Sequence, residues 1–449
     1  MVTIAPARPV LGAPAAPAQP LAARAGAPPR DRFLDLVRIA AMVLVVAQHW
    51  LMPILAVDGG AIVLERANVL ESVWPATWVT QVMPLVFFAS GAATVLSLRG
   101  GATADRGWVS RRLVRLVGGV IVLAGVWLPL PAVLLASGLD PEVVSTGGRL
   151  IGGLLWFLVV LVILTALTPA LLRLADRFRG AEVGVLAVAA VAVDVLRFGL
   201  GWSYVGYLNA VFVWAAVYVI GIHHARGRMG RLRGGRAALV GVLGFGVLGA
   251  AVALGPYPPA MIGLPGTAVS NMNPPSAALL ALAIGQIAVL LAARGTLTRL
   301  ANRPRVARFV DTWAPRTMAV YLWHTPAVVL VAATVVGLGL PGFAVGSTGW
   351  WLSVPVWVAA AAAVLTLCVG LFGSIALRSG DDVAPARLVA GGVLVGAGVL
   401  VLTVAGFDPA RLSDLLGPLL GTWALVSGAL LLGARPAGAG MLRAGRVVR

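Results

Sequence analysis

Three ionisable side chains inside the first apolar run are the residues of this chain best placed to do chemistry. Asp35, Arg38 and His49 all fall within residues 34–55, a stretch that is otherwise predominantly apolar. An ionisable group in the interior of a bilayer is costly, so its presence there is by default a functional hypothesis. Arg38 and His49 are eleven residues apart. That spacing is three helical turns plus about 20°, which puts both on one face, roughly 16 Å apart along the axis. Asp35, three residues before Arg38, can pair with the guanidinium and hold its orientation. Counted from Leu34, Arg38 lies about 6 Å into the run and His49 about 22 Å, past the midplane of a hydrocarbon core roughly 30 Å thick. Arg38 can snorkel to the headgroups, and His49 cannot do so easily. A neutral imidazole at that depth can take a proton from a hydroxyl, or carry a transferred group itself. The plainer alternative is a buried histidine satisfied by one backbone carbonyl.

Other candidates follow along the chain. Arg111, Arg112 and Arg115 form R-R-x-x-R at the edge of the third apolar run. Adjacent turns bring Arg112 and Arg115 together as a fork suited to phosphate oxygens, with topogenic charge or lipid contact as the alternative. The run before it holds Phe87-Phe88-Ala89-Ser90-Gly91-Ala92-Ala93. Its small residues read as a close helix contact, and a direct role for Ser90 is the lesser alternative. The ninth run opens with Tyr321-Leu322-Trp323-His324-Thr325-Pro326. Pro326 frees a backbone carbonyl, which is tolerable where a helix lines a cavity. Counted from Arg316, His324 lies about 12 Å in, which predicts a depth different from that of His49. Asp194 and Arg197, at i and i+3, read as a self-neutralising pair or as substrate contacts. His223 and His224 fall at a helix end and read as interfacial. Cys368 is the single cysteine, which excludes an intramolecular disulfide and a thiolate cluster, and no metal site is expected.

The elements that must position these groups follow from composition. Of 449 residues, 60% are hydrophobic and 11% charged, with a mean hydropathy of +0.96. A soluble domain carries about 25% charged residues, so the polar surface that water demands is missing. The apolar runs lack strict alternation and have the length of membrane-crossing helices. They fall near 34–55, 80–98, 116–136, 150–172, 183–200, 207–222, 237–254, 276–293, 317–338, 350–377, 388–406 and 415–432. The expected fold class is all-α, a polytopic transmembrane helical bundle of about 12 spans. Every basic residue is arginine, and the net charge is +18. In a soluble protein that would suggest nucleic acid; here the arginines sit between apolar runs, concentrated in alternate connections, and no nucleic-acid partner is expected. The same alternation places both termini in the cytoplasm of a multi-pass plasma-membrane protein. Residues 1–31 read as a disordered, Ala- and Pro-rich tail rather than a signal peptide. Residues 256–265 and 271–275 form a proline-rich loop on the opposite side, either a rigid surface loop or a roof over a cavity.

Residues 30–49, with an arginine, ten residues and a histidine, resemble the opening of the acyltransferase-3 family. Phe87–Gly91 as FFASG, Arg112 with Arg115, Leu155-Trp156-Phe157 and Tyr321–His324 as YLWH recur in that family's order. The resemblance covers a ten-span core, residues 32–378. Residues 379–434 add two helices beyond it, and 435–449 form a basic tail. The chain departs from some relatives in lacking an extracytoplasmic esterase-like domain, so a stand-alone member is expected to complete transfer itself. The resemblance implies an O-acyltransferase that takes an acyl group, usually acetyl, from cytoplasmic acyl-CoA to a hydroxyl of a glycan, lipid or small molecule. It implies acyl-CoA as co-substrate and no permanently bound cofactor, with membrane lipids as surroundings. Arg112, Arg115 and Arg111 would hold the coenzyme's phosphates, Arg38 would line the channel, Asp35 would orient it, and His49 would act as base or acyl carrier. Trp156, Tyr321 and His324 fall within the shared motifs. The competing class is a transporter or exporter, for which twelve spans is a common plan, although the two halves show no similarity of the kind internal repeats leave.

Overall fold

The computed structural model of the chain describes residues 31–51, 54–58, 61–65, 74–98, 103–263, 269–340, 343, 347–380, 383–408 and 416–436. Its helices are α1 (Arg32–Leu51), α2 (Thr77–Thr80), α3 (Met83–Ser97), α4 (Arg106–Trp127), α5 (Leu130–Ala136) and α6 (Pro141–Gly153). They continue with α7 (Trp156–Phe178), α8 (Ala181–Asp194), α9 (Asn209–Ala225), α10 (Gly234–Leu254), α11 (Ala278–Ala292) and α12 (Arg294–Ala301). The last are α13 (Pro304–Trp313), α14 (Thr317–Gly337), α15 (Thr348–Phe372), α16 (Pro385–Ala405) and α17 (Leu416–Leu431). The strands pair in two short antiparallel ribbons, Ile54–Asp58 with Ala61–Glu65 and Leu377–Ser379 with Ala434–Pro436. The chain is thus a multi-pass helical membrane protein.

Among the described residues, nine helical segments are long and apolar enough to cross a membrane, or ten when α11 and α12, bent by 63°, count as one span. Each of the twelve apolar runs does contain a helix. α8 with 14 residues and α17 with 16 are shorter than the roughly 20 a straight crossing needs and belong to none of these longer segments. α8 ends in a π-helical turn, Val195–Gly199, where the apolar run continues but the α-helix does not. The first run is also cut short, because residues from Ile54 on belong to a hairpin strand rather than to the helix.

The third span departs most from its apolar run. Asp105 caps α4 by accepting a hydrogen bond from the Trp108 backbone N–H at 2.7 Å, and the helix begins there, ten residues before Leu116. Arginine is a good helix former, so polarity alone does not end a helix. Arg111, Arg112 and Arg115 therefore sit on the second and third turns of a helix and not in a flexible connection. At the same end of the molecule, α12 and α13 bracket the start of α1. Arg32 pairs with Asp311 at 2.8 Å, and the Arg294 guanidinium lies over the Phe33 ring at 5.4 Å.

α3 and α9 pack at the distance that glycine allows. A methyl group at Gly91 would collide with the Tyr218 carbonyl oxygen, and one at Gly221 with the Phe88 carbonyl oxygen. The small residues of the FFASG stretch thus serve helix packing. Gly91→Ala and Gly221→Ala are each expected to cost about 1–3 kcal/mol through overpacking. A lower melting temperature by intrinsic fluorescence checks this, with Gly125→Ala as the neutral control, since nothing lies within 4 Å of its added methyl. An unchanged melting temperature in both variants would refute the tight contact.

Candidate active site

α1 contributes the first half of the site. The Asp35 carboxylate accepts from the Arg38 guanidinium at 3.3 Å, as the i,i+3 spacing predicts. The other arm of Arg38 donates to the Thr317 hydroxyl at 3.2 Å, and Thr317 donates in turn to the Ala314 carbonyl at 3.1 Å. Arg38 is therefore held from two helices, with its side chain one-third exposed, while Asp35 is buried. Arg112 lies close enough to Arg38 and Arg115 to feel both charges, and its guanidinium stands 5.1 Å from the Trp108 ring centroid. Three cations that repel one another are thus brought to one mouth, an arrangement suited to a polyanion. Arg112 is half-buried and Arg115 exposed; Arg111, half-buried, flanks them.

The second half is a pair of histidines. His49 Nδ1 and His324 Nε2 are 3.0 Å apart, with ring centroids 5.0 Å apart. The depth difference expected between them is not found, and its cause is the choice of origin. Arg38 of α1 is level with Thr317 of α14, so α14 starts well inside the depth at which α1 starts. Measured from that level, His49 lies about 16 Å further and His324 about 10 Å further. The length of the two imidazole side chains covers the remainder.

The hydrogen bonds around the pair set its protons. His324 Nδ1 is 2.6 Å from the Tyr321 carbonyl oxygen, which can only accept. In a neutral pair, His324 therefore carries its hydrogen on Nδ1 and presents a lone pair at Nε2. His49 must then donate from Nδ1, which leaves the lone pair of its own Nε2 free. The frame is tight: the Trp50 indole donates to the His324 carbonyl at 2.9 Å, and the Trp357 indole to the Trp50 carbonyl at 2.9 Å. Tyr321 is buried and spends its hydroxyl on the Leu154 carbonyl, packing its ring on Phe157 at 5.1 Å. From there an aromatic wall runs through Phe87 and Trp214 to the half-buried Trp156. The buried indole N–H of Trp214 and the side-chain amide N–H of Gln48 have no hydrogen-bond partner among the described residues. Thr317, Trp50, Trp357 and Trp214 were not singled out from the sequence, because apolar helices make tryptophan and threonine unremarkable; only the neighbour relation of Trp50 to His49 hinted at one of them.

Ser90 is not brought to this site by its hydroxyl, which donates to the Val86 carbonyl of its own helix at 2.8 Å. Asp194 and Arg197 do not form the expected ion pair. Asp194 accepts from Asn209 at 2.8 Å, the Tyr257 hydroxyl at 3.0 Å and the Ala277 backbone N–H at 2.7 Å. Arg197 donates to the Pro274 and Ser270 carbonyls at 3.1 and 3.2 Å. Burial and the neighbouring Asp194 carboxylate push the Tyr257 phenol up, so it stays a donor. With a π turn beginning directly after Asp194 and carrying Arg197, both side chains engage the proline-rich loop and fasten it from the far end of α8. His223 and His224, expected at the interface, are buried: His223 pairs with Glu182, and His224 packs on Phe88 at 5.1 Å.

In this helical membrane bundle the half-buried His49 meets the buried His324 beyond an arginine-lined mouth. A family model described as an acyltransferase domain, Acyl_transf_3, matches residues 31–373. The chain belongs to the acyltransferase-3 family and is an acyltransferase, which sets the exporter reading aside. No curated protein and no solved structure matches it.

Proposed function

We propose that the chain is an O-acyltransferase that moves an acyl group, acetyl in the first instance, from cytoplasmic acyl-CoA to a hydroxyl of a glycan, lipid or small molecule outside the cytoplasm. The observation that carries this reading is the His49–His324 contact, which brings two imidazoles from α1 and α14 together with nitrogens 3.0 Å apart. The arginine-rich end would face the cytoplasm, with both termini on that side of the plasma membrane. Arg112, Arg115 and Arg111 would hold the coenzyme's phosphates, with Arg38, oriented by Asp35 and Thr317, further along. The donor's thioester arm would then reach roughly 16 Å down α1 to His49.

His49 Nε2 takes the proton of the acceptor hydroxyl as its oxygen attacks the thioester carbonyl carbon. The tetrahedral intermediate collapses, the carbon–sulfur bond breaks, and the same proton passes to the departing sulfur to give free coenzyme A. The imidazolium formed in between is stabilised by the neutral His324 Nε2 that accepts its Nδ1–H. An acyl-His49 intermediate is the alternative for the same residue, and label from radiolabelled acetyl-CoA retained on the protein without acceptor would mark it.

Purified protein is expected to bind acetyl-CoA and to hydrolyse it slowly without acceptor. No binding at millimolar ligand by calorimetry would overturn the donor assignment. Arg112→Ala with Arg115→Ala should raise KM more than it lowers kcat, since phosphate contacts far from the reacting carbon bind ground and transition states alike. A pure kcat loss would remove both from the donor site. Acetylation of purified envelope glycans, compared between cells with and without the gene, tests the acceptor class.

A further inference from the structure

The largest cavity among those described lies away from this site. It is a groove of about 1120 Å³ between α4, α7 and α16, at the arginine-rich end. Its walls are aliphatic, Leu113 from α4, Val162 and Leu172 from α7, and Val389 and Val393 from α16; Val389 and Val393 are exposed, so the groove opens sideways onto the bilayer. Its rim is polar, with Asp105, Arg106, Arg173, Asp176 and Arg226. The two acids are committed. Asp105 caps α4, and Asp176 pairs with Arg226 at 2.9 Å and Arg228 at 3.0 Å. Among the described residues neither Arg106 nor Arg173 forms an ion pair; Arg173 donates only to the Pro169 carbonyl. From Val162 to Asp176 the groove runs about 21 Å along α7, which matches the roughly 20–22 Å of one bilayer leaflet with its headgroups.

We propose that this groove binds one anionic glycerophospholipid, its phosphate between Arg106 and Arg173 and its acyl chains between α7 and α16. Basic pockets between transmembrane helices at a membrane surface take such headgroups, and two guanidiniums outside any described ion pair supply the complementary charge. α16 lies outside the region that the family model matches, so the lipid joins the acyltransferase helices to the C-terminal pair. The glycines of α16 separate these contacts. Gly391 and Gly398 pack on the Gly428 and Gly421 carbonyls of α17, at 2.9 and 2.7 Å from an added methyl. Gly392 and Gly396 instead face Leu113 and Val162 at 3.8 Å, with room for a larger side chain.

The test uses delipidated full-length protein in detergent, titrated with phosphatidylglycerol or with phosphatidylcholine of the same chains, and read as the melting temperature. Phosphatidylglycerol is expected to raise it by several degrees and phosphatidylcholine is not. Arg106→Gln with Arg173→Gln should weaken the phosphatidylglycerol effect at least tenfold. Gly392→Phe with Gly396→Phe should abolish it by filling the groove. Should the filled variant not fold, a photoactivatable phosphatidylglycerol on the wild-type protein provides the second readout, with crosslinks expected in α7 and α16. Equal stabilisation by both lipids, an equal shift from glycerol 3-phosphate alone, or crosslinks confined to other helices would each overturn the proposal.

Discussion

Replacement of His49 by alanine is expected to lower acyl transfer by about 10²–10⁴-fold, the range of a lost general base, while folding and donor binding persist. The donor end is remote: Asp35, Arg38 and Thr317 form their own cluster about 16 Å down the helix. The structural cost is small, because His324 Nε2 keeps the Thr325 hydroxyl at 3.4 Å and His324 Nδ1 keeps the Tyr321 carbonyl. A histidine held only for structure would behave differently. Its loss would leave a buried polar group unpaired and cost roughly 1–3 kcal/mol, with activity partly retained. Melting temperature, acetyl-CoA affinity and radiolabel transfer measured on one variant separate the two. Substantial transfer by a well-folded His49→Ala protein would sink the site assignment.

The second large effect is expected at His324, whose proposed role is to position the base rather than to touch substrate. His324→Ala removes the acceptor of the His49 Nδ1–H, so the imidazole is free to turn and to hold its hydrogen on Nε2. Loss of such an orienting partner costs roughly 10²–10⁴-fold in kcat, as in catalytic triads, with KM for the donor little changed. His324→Gln is the discriminating variant. Its amide oxygen can accept from His49 Nδ1 near where Nε2 stands, so a good part of kcat should return, and the pH dependence of kcat should move back towards that of the wild type. A merely space-filling role for His324 predicts instead that Gln and Ala differ in melting temperature and not in pH profile. That pattern would refute the positioning role while leaving His49 as base untouched.

What was legible in the sequence depended on whether one helix or two were involved. Asp35 and Arg38 share α1, so spacing alone predicted their contact, and the structure holds it at 3.3 Å. Arg112 and Arg115 share α4, so their place on adjacent turns was also legible; the ten helical residues before the apolar run were not, because hydropathy marks where a chain becomes apolar and not where its backbone becomes helical. The His49–His324 pair joins α1 to α14, and no periodicity within either helix carries the offset between them. Asp194 and Arg197 misled for a related reason. The i,i+3 rule assumes an α-helix, and a π turn begins directly after Asp194. The multi-pass helical class needed only run length and composition, since neither depends on how the helices meet.

The histidine pair also has a consequence for how the enzyme comes into being. Its two members are separated by 275 residues of chain, whereas Arg38 and Arg112 both precede the midpoint. At translation rates of about 5–20 residues per second, roughly 14–55 seconds pass between the synthesis of His49 and that of His324. During that interval a membrane-inserted nascent chain has neither the Thr317 hydroxyl that holds Arg38 nor the imidazole that meets His49. Both contacts between α1 and α14 therefore form only when the ninth apolar run is in place. On the proposed mechanism a product ending before α14 is expected to be inert rather than a wasteful thioesterase.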